Sequence, residues 1–373
     1  MKTQKIGILG GGQLGRMLWQ AAVDWNLDIY FLDADENAPC AELTKNFTLG
    51  SLTDFETVYH FGKNLDVITI EIENINTDAL QKLVDEGKKV FPEPAIIALI
   101  QDKGLQKQFY QQNNIPTLPF ELIENKQKTI EYFEKNNQKK YFQKLRKGGY
   151  DGKGVQKLFS NQDFQFLFDA PVVIEQALPI EKEIAVLVAK NQKGEIKIFP
   201  PVEMIFDDAL NLVDYLISPA QLSENQTKTA ENLAIQVIQS LNMTGLLAVE
   251  MFLDKEGNFY VNEIAPRPHN SGHQTIEGNI TSQYQQFWRS ILNLPLGATQ
   301  TQQPAAMLNI IGQHNGEANY PFMEKVLALE QVFVHLYGKK ISKIGRKMGH
   351  ITILADNIVL LEEKIQRVKK ILE

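Results

Sequence analysis

The chain has 373 residues, 43% of them hydrophobic, which is enough to bury a sizeable core and, by length, to divide into about two or three domains. A net charge of -7 excludes the global basic footprint of a nucleic-acid or anionic-membrane binder, so the expected ligands are small molecules. The single cysteine, Cys40, excludes an internal disulfide framework; charged or glycine-rich residues also interrupt every apolar run before membrane-spanning length, and the expected location is the cytoplasm.

Lys5–Leu9 reads as an apolar strand, followed by Gly10-Gly11-Gly12-Gln13-Leu14-Gly15 and a helical pattern from Arg16 to about Trp25. Strands at Ile29–Leu32 and Val67–Glu71 and a helix near Thr77–Glu86 continue the alternation, which predicts a parallel, doubly wound α/β domain over residues 1–92. Gly10, Gly12 and Gly15, with Asp33 and Asp35 about twenty residues on, match the dinucleotide fingerprint. Alone that spacing argues for NAD, but another nucleotide, a phosphorylated metabolite or close packing would explain the glycines equally well. Phe91-Pro92-Glu93-Pro94 marks a boundary before a helical stretch, Ala95–Asn113. Tyr141–Leu145, Val155–Phe159, Val172–Glu175, Glu183–Ala189 and Ile196–Phe199 read as short strands and Ser223–Ser240 as a helix, so residues 93–296 are expected to be α+β with much antiparallel sheet. Gly297 and the polar run Thr299–Gln303 lead into a smaller C-terminal piece, residues 297–373.

Leu246–Leu253 and Phe259–Ile264 form a candidate hairpin, and a two-residue tip at Glu256-Gly257 places Glu250 opposite Glu263. Facing carboxylates destabilise a ladder unless a cation sits between them, and Mg²⁺ shared with substrate phosphates suits such a pair; a solvated acidic hairpin is the plain alternative. Lys144 to Gly154 packs glycines and cations into a loop that can fold over polyphosphate, with Lys144 a point charge at the end of its strand. Glu183, at a strand end, is most simply a surface residue. Arg267, His269, Asn270 and His273 follow the hairpin on a segment that two prolines keep out of the sheet, where they can bind an anion beside the γ-phosphate. Tyr337 to Lys340 and Arg346 to His350 supply a basic cluster suited to a phosphorylated substrate, or else a solvated face.

The order of these motifs resembles that of the ATP-grasp ligases, and within them the N5-carboxyaminoimidazole ribonucleotide synthetases of purine biosynthesis. It rests on Gly10 to Met17, Glu71 to Ile75, Gly148 to Gly154, Asn262 to His273 and Arg346 to His350. The resemblance implies a Rossmann-like preATP-grasp domain without nicotinamide, a two-lobed ATP-grasp domain and a small C-terminal domain. It implies Mg²⁺ on Glu250 and Glu263, phosphate contacts from Lys103 and Lys144, and a lid over Gly149, Tyr150, Asp151, Gly152, Lys153, Gly154 and Val155. Glu175, Gln176, Ala177 and Leu178 would line the adenine pocket, Glu183 would hold ribose, and Asn262 would join Glu263 at the nucleotide. Gln13, Leu14, Glu73, Tyr150, Asp151, Asn270, Lys339, Arg346 and Lys347 would surround aminoimidazole ribonucleotide, while Arg267, His269 and Lys339 carry the catalytic role. Bicarbonate would be activated by ATP as carboxyphosphate, in a protein expected to be a homodimer. Three positions depart from the pattern: Lys103 replaces a common Arg, Phe206 stands where a His is expected, and Ala265 cannot supply an amide ligand to metal. The rivals are a formate-dependent glycinamide ribonucleotide formyltransferase of the same superfamily, an NAD-dependent oxidoreductase and a non-catalytic nucleotide sensor.

Overall fold

In the computed structural model, residues 4–136, 139–149, 154–207 and 212–372 are described. The N-terminal layer comprises β1 (Lys5–Leu9), α1 (Gln13–Val23), β2 (Asp28–Asp33), β3 (Phe47–Leu49), α2 (Phe55–Gly62), β4 (Val67–Ile70), α3 (Thr77–Asp85) and β5 (Lys89–Phe91). Its strands are parallel in the order β3-β2-β1-β4-β5. Both faces are covered, which is why the strands are almost continuously apolar. Ile6, Ile8, Ile29 and Phe31 pack with Leu14, Met17 and Leu18 of α1. Leu9, Leu32, Ile68 and Ile70 face Val58 of α2 and Leu80 and Leu83 of α3. β3 was not visible in the sequence, because three residues are too few to show a strand period, and the eight-residue α2 went unread as well.

The expected helical stretch Ala95–Asn113 is two helices, α4 (Pro94–Ile100) and α5 (Lys103–Gln112). The break is made by Asp102: its carboxylate accepts from Gly104 N and Leu105 N, capping α5, and pairs with Arg146 at 2.8 Å. Lys103 thereby stands in the first turn of a helix that faces the central cleft.

Beyond α5, β6 (Phe120–Ile123), α6 (Lys126–Lys135), β7 (Tyr141–Leu145), β8 (Val155–Leu158) and β9 (Val172–Gln176) form a lobe whose antiparallel sheet has the order β6-β9-β7-β8. The second lobe contains β10 (Ile180–Lys190), β11 (Ile196–Ile198), β12 (Val202–Asp207), β13 (Leu212–Ser218), α7 (Glu224–Ser240), β14 (Gly245–Asp254), β15 (Phe259–Ala265), α8 (Thr275–Gly278) and α9 (Gln283–Ile291). Alternate residues of β10 and β14 divide between two cores: Ile184, Val186, Leu247 and Val249 meet α7, whereas Leu187, Ala189, Leu246 and Ala248 meet Tyr284, Phe287 and Trp288 of α9. Trp288 also donates its indole N–H to Leu18 O of α1 at 2.9 Å, tying the lobe to the N-terminal layer.

The C-terminal elements are β16 (Ala305–Ile311), β17 (Gly316–Glu317), α10 (Met323–Leu327), β18 (Val332–Leu336), β19 (Ile341–Ser342), β20 (Lys347–Leu354) and α11 (Ile358–Leu372). β16 pairs with β13, so the large sheet runs on as β15-β14-β10-β12-β13-β16-β20-β18 across the stretch read as a linker. That continuity carries the β18–β20 basic cluster alongside the N-terminal layer.

Candidate active site

Glu250 of β14 and Glu263 of β15 are paired in the ladder, and the route to that pairing differs from the simple hairpin. Nearer the turn the register is Leu253↔Phe259 and Met251↔Val261, which would set Glu250 against Asn262. A bulge between Met251 and Glu250 inserts Asn262 and moves Glu263 into place. Strict alternation would send adjacent residues to opposite faces; the bulge lets both Asn262 and Glu263 look into one cleft, with Lys144 and Lys103 as their respective partners.

Four elements supply that cleft with charge. Lys103 Nζ lies 2.5 Å from Glu263 Oε1, while Lys144 Nζ lies 2.8 Å from Asn262 Oδ1 and 2.6 Å from Glu175 Oε2. The other Glu175 oxygen pairs with Lys107 at 2.6 Å. Burial opposes ionisation of Glu175, but Lys107 and Lys144 outweigh it and hold the carboxyl down at about 2. Glu175 therefore stands beneath the lysines as their shared counter-ion, rather than as an exposed lining group. Lys107 bonds further to Thr117 Oγ1, whose hydroxyl donates to Val261 O, so the cation is anchored to the bulged hairpin.

Glu250 is pushed up to about 7 by burial, then by Glu263 and Glu183. Burial does the same to Glu183, likewise to about 7. Carboxylates crowded in this way are stabilised by a hard cation. Glu250 and Glu263 give Mg²⁺ the one or two carboxylates it ordinarily takes from protein, so the residues present fit that ion. Ala265 lies against the apolar core and adds no ligand, and Phe206 packs beside Met204 and Leu216 rather than in a polar pocket.

The glycine turn is already filled by the chain itself. Glu71, at the end of β4, accepts from Gly12 N and Gly15 N, both at 2.9 Å, and Asp33 accepts from Gly11 N at 2.6 Å. A Cβ at Gly12 would lie 2.6 Å from Glu71 Oε1, so the glycines make room for a carboxylate of this protein where a dinucleotide would place its pyrophosphate. Next to it, Glu73 pairs with Arg267 Nε at 2.7 Å, aligning the guanidinium with the β15 exit. His269 Nδ1 accepts from Ser271 N, and Nε2 points to Glu250 Oε1 at 3.4 Å. At the rim Lys339 Nζ reaches Gln13 Oε1 and Lys347 O, each at 2.6 Å, joining residues 326 apart in sequence.

Residues 1–101 match the ribonucleotide synthetase preATP-grasp domain, 108–284 the ATP-grasp domain, and 305–364 the phosphoribosylaminoimidazole carboxylase C-terminal domain. The N5-carboxyaminoimidazole ribonucleotide synthase of Brucella melitensis is 33% identical over 93% of this chain and 95% of its own. The chain belongs to the N5-carboxyaminoimidazole ribonucleotide synthase family. A solved synthetase of this family from Thermotoga maritima is 38% identical and superimposes with a TM-score of 0.91, covering 99% of this chain and 98% of its own. That of Aspergillus clavatus, in complex with ADP and 5-aminoimidazole ribonucleotide, is 32% identical with a TM-score of 0.89, covering 99% and 98%. The chain spans 66–70% of the length of the fungal and plant phosphoribosylaminoimidazole carboxylases it matches.

Of the site residues the family resemblance implies, Tyr150, Asp151, Gly152 and Lys153 lie outside the described residues. Gly149 and Gly154 flank them at positive φ (82° and 88°), and Val155 pairs with Lys144 in the β7–β8 ladder. Gln176, Ala177 and Leu178 are half-buried where β9 ends, with Gln176 held by Lys139. Leu14 is buried in the α1 core, which leaves its side chain to packing. Asn270 bonds to Asn309, and Arg346 donates to Ile341 O. Sequence reasoning missed Lys107; its signal was the four-residue interval from Lys103, which puts both on one face of α5.

Proposed function

We propose that the chain is an ATP-dependent C–N ligase of de novo purine biosynthesis, carboxylating 5-aminoimidazole ribonucleotide with bicarbonate to give N5-carboxyaminoimidazole ribonucleotide, ADP and phosphate. The observation that carries the reading is the convergence of Lys103, Lys144, Asn262 and Glu263 in one cleft, with Glu250 paired to Glu263 in the ladder and meeting His269, and with Arg267 braced by Glu73 just beyond the same strand. Lys103 and Lys144 bind and orient the polyphosphate, their positions fixed before substrate arrives by Glu263 and Glu175. Glu250 and Glu263 would hold Mg²⁺, which when bound neutralises phosphate charge. Arg267, braced by Glu73, and His269, braced by Ser271, orient bicarbonate; an oxygen of it attacks the γ-phosphorus and ADP leaves. The exocyclic amine then forms the new C–N bond with the carboxyl carbon of carboxyphosphate, or with carbon dioxide released from it, and phosphate departs with the bridging oxygen. Gln13, Lys339, Arg346 and Lys347 receive the ribonucleotide, the basic side chains at its phosphate.

Domain limits of 1–92, 93–296 and 297–373, a homodimeric assembly and a cytoplasmic location belong to the same reading. No helix among the described residues is long and apolar enough to cross a membrane. The test is ADP release from Mg-ATP and bicarbonate, with and without aminoimidazole ribonucleotide, beside formate plus glycinamide ribonucleotide. Stimulation by the first pair is expected; stimulation by the second alone would reassign the protein to formyl transfer, and none by either would make it a nucleotide sensor.

A further inference from the structure

Gln283, the first residue of α9, is fully buried and carries an amide that apolar packing alone would not select. Its Oε1 accepts from His269 N at 2.9 Å and its Nε2 donates to His269 O at 2.8 Å, so one carboxamide satisfies both polar groups of that residue's backbone. The amide has a further neighbour on the same side: Nε2 also lies 3.2 Å from His273 Nδ1, which is itself 2.9 Å from Tyr284 OH. Gly272 leaves the space, since a Cβ there would lie 2.5 Å from Gln283 Oε1 and 2.4 Å from Leu187 Cδ1. Thr275 closes the loop by accepting from Gln283 N at 2.8 Å and donating to Gly272 O at 2.5 Å.

We infer that Gln283 is a positioning residue for the carboxylation site, its side chain clamping the His269 backbone so that the ring stays beside Glu250. The inference rests on the functional reading above, in which His269 meets bicarbonate. Segment 266–273 leaves the sheet after β15 and so has no ladder partner to fix it; the carboxamide substitutes for one strand residue. Through the peptide it sets the direction of a ring that Ser271 holds from the other side.

The test pairs Gln283→Met, which removes both hydrogen bonds at similar volume, with Gln283→Glu, which keeps the acceptor for His269 N–H but sets a carboxylate oxygen against His269 O. ADP release from Mg-ATP with bicarbonate and aminoimidazole ribonucleotide is measured for parent and variants, with thermal melts alongside. The expected result is a fall in kcat of about 10- to 100-fold in both variants, with KM for ATP held within about twofold because the Lys103–Lys144 cleft does not touch Gln283. A folded Gln283→Met variant with the parent kcat would overturn the inference, as would a parallel loss of ATP affinity or a failure of both variants to fold at room temperature. A parent protein that bicarbonate and aminoimidazole ribonucleotide do not stimulate would instead overturn the functional reading, and the inference with it.

Discussion

Glu263 serves two partners, one present and one expected: it neutralises Lys103 in the free protein and is a proposed ligand of Mg²⁺. Its side chain is 47% exposed, and against the desolvation of the cleft its carboxyl is held below the ordinary range, chiefly by Lys103. Glu263→Gln keeps the shape and one acceptor while removing the charge, so ADP release is expected to fall by about 100-fold or more with the melting temperature little changed. Near-parental turnover would remove Glu263 from the metal site. Glu175 differs, because its whole surroundings are internal: its side chain is 1% exposed and those of Lys107 and Lys144 are 4% and 15% exposed. Glu175→Ala leaves two buried cations without a counter-charge, and denaturant unfolding should show a loss of about 3–5 kcal/mol. A loss below about 1 kcal/mol, the range of a surface pair, would mean that solvent already screens the lysines.

Two elements, the glycine turn and the carboxylate hairpin, carry most of the site. In the turn, Gly12→Ala would drive a Cβ against Glu71 Oε1, and we expect a destabilisation of about 1–3 kcal/mol, read from the urea midpoint. An unchanged midpoint would show that Glu71 moves aside freely. Within residues 5–91 the strands β1, β2 and β4 and the helices α1 and α3 were legible because apolar period and glycine punctuation agree there, whereas β3, α2 and β5 were not. The turn's occupant was not: spacing identifies a helix N-terminus ready for an anion, but only the fold brings Glu71, 59 residues from Gly12, into that position. The hairpin shows a similar limit. The pairing of Glu250 with Glu263 was readable, yet the assumed tight tip is replaced by a wider turn, in which Asp254 accepts from Glu256 N and Asn258 N, and a compensating bulge at Asn262. Nothing in the local sequence distinguishes those two routes to one register. Asp102, which ends one helix and caps the next, looked like one more polar residue in a helical run.

At the scale of the molecule, the continuous sheet and the α1–α9 contact bring the three sequence regions to one centre, where α8, α9, β18 and β20 enclose a histidine stack. The rings of His273 and His350 lie 4.6 Å apart and those of His350 and His335 4.5 Å apart, with His335 paired to Glu277 at 2.7 Å. Burial first lowers the pKa of both His273 and His350 well below the ordinary value; His269, Lys347, His335 and Arg267 add to the effect at His273, and His273 and His335 at His350. Folded His350 therefore stays neutral where the unfolded chain takes up a proton, so its contribution to stability is complete above the unfolded value of about 6.5 and declines below it. Compared at each pH with His350→Gln, which cancels the other titrations, the parent's stability advantage should shrink from pH 8 to pH 5, by up to about 1.4 kcal/mol per unit. A gap independent of pH would show that His350 is protonated in place. The central claim, that this centre joins bicarbonate to the γ-phosphate of ATP before carboxylating an amine, is tested most directly by turnover with ¹⁸O-labelled bicarbonate and aminoimidazole ribonucleotide, followed by mass analysis of the phosphate released. The account predicts one labelled oxygen in each phosphate formed; phosphate carrying no label would contradict it.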